Sequence, residues 1–200
     1  MKRMIAMVAE DRYVHTKRAK KNRSGKGGKA PKTQTQLDAA RGKFDFTEIN
    51  GFKLKEVEWT VPDKQTRKRR RRAFNAVREE FLKHIGKTQE PALRDLGLTD
   101  KQIDQIKKGH APVGYNVHHK LPIHGGGQNV FENLILMPIK PHDELHHKVM
   151  DPQVAQMQTG ESKKVVIPWT DDMVYVSPER KRTLPQKSFL MAKTVDRNGR

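Results

Sequence analysis

The 200-residue chain contains no cysteine. Disulfides and thiolate metal sites are therefore excluded, and any metal must be held by His, Asp or Glu. Long apolar runs are missing too. No stretch approaches the ~20 residues of a membrane-spanning helix, so no membrane embedding is expected. The opening MKRMIAMVAEDRY has a basic start, but its apolar stretch runs only from Met4 to Ala9. That is too short for a signal-peptide core. Export would then need a signal-less route, or a longer chain of which this is a piece; otherwise the protein stays in the cytoplasm. Internal repeats are absent as well.

Acidic side chains are scarce: 23 Asp and Glu stand against 41 Lys and Arg, a formal net charge of +18. Such a balance says nothing about fold, but it does point to polyanionic, acidic or anionic-membrane partners. Apolar residues make up 34% of the chain, with a mean hydropathy of −0.88. A core over part of the chain, with basic segments of low order elsewhere, fits both values.

Composition divides the chain into four parts. Residues 1–43 are rich in Lys, Gly, Ser and Gln and read as a basic, flexible arm. Residues 44–62 alternate apolar and charged side chains around an Asn50-Gly51 turn, which predicts a short two-stranded element. Residues 63–150 hold two helical patterns and the motif described below. Phe74, Val77, Phe81, Leu82 and Ile85 repeat at helical spacing with Gly86 as the stop, and a second helix is predicted over 91–109 with Thr99 as N-cap. Residues 151–200 read as an extension, with two short strands about an Asp171-Asp172 turn and a basic tail.

The run Arg67, Lys68, Arg69, Arg70, Arg71 and Arg72 leads into the first helix. Basic side chains there oppose the positive end of the helix dipole. A solvated helix gains nothing from that arrangement, which points to phosphate contact, with a nuclear-localisation or solubilising role as the alternative.

Six of the nine histidines fall between 118 and 147: His118, His119, His124, His142, His146 and His147. The local pattern reads strand, turn-rich loop, strand, helix, with Pro141 at the favoured first position of that helix. On the helix His142 and His146 are four apart, hence on one face and spaced to ligate one divalent cation. His147 points roughly 140° away from His142, so it and the adjacent Lys148 are assigned to surface or phosphate contact. A third ligand can come from the His118–His119 pair. Adjacent strand side chains diverge, so one ring can join the metal. The other can stay free as a general base.

These residues resemble a known family. VHHKLPIHGGGQNVFENLILMPIKPHDELHH is similar to the HNH, or ββα-metal, nuclease motif in the double-histidine form of colicin- and pyocin-type bacterial DNases. The resemblance is strong over 109–148, weaker just upstream, and does not cover the first sixty residues or the last fifty. It implies an α+β protein: a ββα-metal finger packed on helices, with basic flexible N- and C-terminal segments. It also implies His118, His142 and His146 as metal ligands and His119 as the base that activates water. Asn133 would tie the loop to the base strand through backbone hydrogen bonds, with Asn129 a rival for that role. One position departs from the family: Asn116 stands where those toxins carry a Glu paired with an Arg.

The resemblance further implies hydrolysis of DNA phosphodiesters with little sequence preference, in an antibacterial toxin or effector. A producer would then need an acidic immunity protein as partner. An imidazole shell favours Zn²⁺, Ni²⁺ or Mn²⁺ over Mg²⁺. Rival readings are a phage or mobile-element nuclease, or a basic nucleic-acid-binding protein with a structural metal. A metalloprotease is a further rival, because HDELH approaches H-E-x-x-H with Asp143 in place of the Glu. Oligomeric state is open.

Overall fold

The Asn50-Gly51 signal marks a real hairpin. Asn50 and Gly51 both take positive φ, 51° and 82°, as the favoured two-residue hairpin turn requires. They join β1 (Glu48–Ile49) to β2 (Phe52–Thr60) in a computed structural model that describes residues 33–184. The architecture is mixed α+β, with small sheets and helices alternating along the chain. None of the described helices is long and apolar enough to cross a membrane.

Part of the segment read as an arm is helical. Thr33 caps α1 (Gln34–Ala40) in a reciprocal capping box with Gln36. That signature sits inside a polar stretch with no apolar stripe, so composition alone hides it. Residues 1–32 of the basic arm and the basic tail after 184 lie outside the described residues.

After β2, Asp63 caps α2 (Lys64–Thr88). Then come α3 (Glu90–Leu96), α4 (Asp100–Lys107) and β3 (Tyr115–His119). The single helix expected over 91–109 is thus two. Gly97, at φ 96°, terminates α3, and Thr99 opens α4 with a second capping box.

Gly86 is not the stop that the sequence implies. Helix α2 runs through it because α4 crosses there. A Cβ at Gly86 would lie 2.9 Å from the backbone N and Cα of Lys107. The glycine is there for close approach, and the two helices share the apolar side chains Phe81, Leu82, Ile85, Ile103 and Ile106.

β3 pairs antiparallel with β4 (Leu134–Pro138), and α5 (Ile139–Leu145) follows directly. Pro138 caps that helix, so Pro141 sits at its third position rather than its first. The site is still permissive, because the first four N–H groups of a helix have no internal partner. The helical path then widens into a π turn over His146–Met150 before α6 (Asp151–Val154). Pro152, with no N–H to return to the preceding turn, follows the widening.

The region read as a C-terminal extension is part of the core. β5 (Ser162–Trp169) pairs along the whole length of β2, from Lys53–Trp169 to Thr60–Ser162. It does not fold back on 173–176 about Asp171-Asp172. Those residues instead run beside β4, with Val174 bridging Leu136. α7 (Pro178–Thr183) ends the described chain. The β1–β2–β5 sheet buries side chains on both faces: Trp59, Val165 and Ile167 on one, Phe52 and Pro168 on the other. Pairing between strands a hundred residues apart leaves no local trace in a sequence.

Gly86→Ala is expected to destabilise the protein by about 1–3 kcal/mol, the usual cost of overpacking. An open helical position would instead gain roughly 1 kcal/mol. Urea unfolding of the two proteins gives the sign directly.

Candidate metal centre

β3 ends on two consecutive buried side chains, His118 and His119, and Lys120, directly after it, is buried too. Alternation sends His118 toward α5 and His119 toward α2. His118 meets His142 and His146 with ring centroids 4.8 and 5.2 Å away. His119 packs on Phe74 of α2 at 4.3 Å.

The imidazole nitrogens of His118, His142 and His146 lie within 4.8 Å of one another. Zinc–imidazole bonds of about 2.0–2.1 Å allow ligand nitrogens up to about 4.2 Å apart. Small side-chain rotations therefore close the trio on one ion, and the three histidines are near enough to hold a divalent metal.

The surroundings prepare the trio for that task. His142 Nδ1 donates to Asp143 Oδ1 at 3.0 Å, which leaves Nε2 as the ligand nitrogen. Asp151 lies beside the π turn, 3.6 Å from His146 Nδ1 and 3.3 Å from His147 Nδ1. Carboxylates behind ligand histidines fix ring orientation and raise basicity. Burial, and then the neighbouring rings of His142 and His146, hold His118 well below its ordinary value near 6.5. Burial also lowers His146. Both rings are held in the neutral form that a cation needs.

His119 stays out of the trio. Its Nε2 lies 2.8 Å from Asn129 Oδ1. Burial lowers its pKa, and the Asn129 bond opposes the shift in part. His119 nevertheless lines a cleft of about 210 Å³ together with the trio, His124 and Arg71. The ring is therefore neutral, tethered at one nitrogen and beside the metal ligands.

The loop between β3 and β4 makes this possible. Asn133 Oδ1 accepts from the Leu121 N–H, and its Nδ2 donates to the carbonyls of Leu121 and Gln128. These bonds tie the two ends of the loop together. Gly125 packs against the Trp59 indole and Gly127 against the Leu121 carbonyl, each too close for a Cβ. Lys120, fully buried, donates to the Glu132 carbonyl at 2.8 Å.

The basic run divides by helical phase. Arg70 turns inward: its guanidinium donates to the carbonyls of Gly126 and Gly127 at 2.8 and 3.1 Å. It clamps the loop rather than standing free for phosphate. Arg67, Lys68, Arg71 and Arg72, with Lys64 and Asn75, line a groove of about 580 Å³. Arg71 belongs to both this groove and the histidine cleft. Arg67 Nε is buried with no hydrogen-bond partner among the described residues. Arg69 is exposed and lines neither.

His147 and Lys148 are not brought to the cleft. Both are exposed, paired with Asp151 and Glu144 respectively, and line a separate depression with Ile139 and Asp143. Asp143, the acid of the protease-like HDELH, likewise does not line the histidine cleft. Asn116 is exposed on β3. The sequence reading left His124 without a role; here it borders the cleft, its ring set edge-on to Trp59 at 4.8 Å. Its place in the histidine cluster was the only local signal.

Comparison with known proteins adds one relative. The uncharacterized protein YhhZ of Escherichia coli (strain K12) is 28% identical over 155 residues, covering 76% of this chain and 38% of that protein. This chain thus spans well under half the length of that relative. No protein-family model and no solved structure matches.

Thermal unfolding with added Zn²⁺, Ni²⁺ or Mn²⁺ is expected to show an upward shift that His118→Ala and His142→Ala both abolish. In metal-free protein the depressed histidines bind protons more weakly folded than unfolded. Their contribution to stability is present above about pH 6.5 and falls as pH drops below it. A pH series of unfolding midpoints checks the sign.

Proposed function

We propose that this protein is a metal-dependent endonuclease that hydrolyses DNA phosphodiesters with little sequence preference. One observation carries the reading: a trio of histidines able to share a cation lines the same cleft as a fourth, neutral histidine and an arginine of a basic groove.

Each residue then has a chemical task. His118, His142 and His146 hold the cation, of which Zn²⁺, Ni²⁺ or Mn²⁺ suits imidazole better than Mg²⁺. The bound cation supplies Lewis-acid stabilisation of charge on the phosphate and the leaving oxygen. His119 takes a proton from the attacking water, as a neutral imidazole can. Asn133 keeps the loop and the base strand in register. Arg67, Lys68, Arg71 and Arg72 bind backbone phosphates along the groove and lead the strand toward the cleft, which gives affinity without sequence readout.

The net charge of +18 supports a polyanionic substrate. The resemblance to colicin- and pyocin-type DNases extends the proposal to an antibacterial toxin or effector with an acidic immunity protein as its partner. Electrostatic complementarity would drive that association.

The test is plasmid cleavage by chelated protein with single ions added back. Cleavage should depend on the added ion. His119→Ala should lower it by about a hundredfold or more, while DNA binding and metal affinity persist. A purely structural metal site would give no cleavage with any ion, and the proposal would fall. A second measurement reads the groove. Arg71→Ala should weaken DNA binding alike for all sequences and reduce the slope of log affinity against log salt by about one.

A further inference from the structure

His119 has two ring nitrogens, and only one can accept a proton in the neutral ring. We propose that Asn129 is a positioning residue that settles which one: it holds His119 with its proton on Nε2 and leaves Nδ1 as the acceptor. The functional consequence rests on the nuclease reading above; the tautomer assignment does not.

The assignment follows by elimination. Asn129 Nδ2 lies 2.8 Å from the backbone carbonyl of Arg70. A carbonyl only accepts, so the amide must present its NH₂ group there. Turning the amide over would set two oxygens against each other. Asn129 Oδ1 therefore faces His119 Nε2, at 2.8 Å. That oxygen only accepts, so Nε2 must carry the hydrogen. A neutral imidazole has one N–H, and Nδ1 is left with the lone pair. Phe74, with its ring centroid 4.3 Å from that of His119, packs against the ring and opposes its turning over.

The two asparagines of the loop thus divide the work. Asn133 spends its amide on Leu121 and Gln128, and its hydrogen bonds do not reach the ring. Asn129 spends its amide on α2 and the ring. Arg70 anchors both ends of this arrangement. Its carbonyl orients Asn129, and its guanidinium holds Gly126 and Gly127 three and two residues earlier in the same loop. A basic residue in a phosphate-binding run thereby serves the base instead.

The tautomer is read directly by nitrogen NMR of full-length protein labelled with ¹⁵N-histidine, with His119→Gln identifying the resonance. Wild type should carry the proton on Nε2. Asn129→Leu, close in size but without an acceptor, should give a mixture of tautomers. In the cleavage assay it should also lose roughly tenfold to a hundredfold in kcat, with KM and metal affinity unchanged. Asn129→Asp, which keeps an acceptor for Nε2–H, should retain the wild-type tautomer and regain part of the rate. A proton on Nδ1 in the wild type overturns the inference, as does a Leu variant whose ring is as uniform as the wild type's. If no ion supports cleavage while the Nε2–H form persists, the nuclease reading falls and the role of Asn129 in orienting the ring stands.

Discussion

Adjacent side chains on a strand must point to opposite faces. β3 turns that constraint into a division of labour, because both of its faces are covered. His118 is sent to α5 and the π turn that continues it, where His142 and His146 wait about one helical turn apart. His119 is sent to α2, where an aromatic ring and an amide receive it. Two neighbouring residues of the same type thereby acquire different partners and different chemistry. The rest of the candidate site serves to keep the two faces covered.

Helix α2 is the larger part of that cover. Its inner face carries Phe81, Leu82 and Ile85 into the core against α4. About two and three turns nearer its start, Phe74 and Arg70 receive the base ring and the loop. Its outward face carries the basic groove. A single rigid element thus joins the hydrophobic core, the positioning of a histidine and the surface that polyanions would meet. Sites built on helices and strands hold geometry better than sites on loops alone. Here the glycine-rich loop is pinned at Leu121, Gly126, Gly127 and Asn129 before it reaches β4.

Electrostatics at the cleft run against the net charge of the chain. The strongly basic exterior would repel a cation, yet burial keeps His118 and His146 neutral, and Asp143 and Asp151 stand behind His142 and His146. The π turn helps, because it brings His147 and Lys148 to the surface while Val149 and Met150 stay buried. The charge of Lys148 is thereby kept off the ligand face, while Arg71 lines the cleft.

Much of this was legible in the residues themselves. The His142–His146 spacing, the paired histidines and the Asn50-Gly51 turn are local signals, set by helical period, strand alternation and backbone sterics. They give the His142–His146 pair and a third ligand from either His118 or His119; the choice of His118 and the α+β class with its metal finger are what the family resemblance implies. The sequence does not reveal which basic side chains face in, that Gly86 marks a helix crossing, or that β5 belongs beside β2. Nor does it separate the tasks of Asn129 and Asn133: spacing favours Asn133 as the tie of the loop and leaves Asn129 a rival until the loop is closed. Those outcomes depend on contacts between residues far apart in the chain, and only packing of the whole domain decides them.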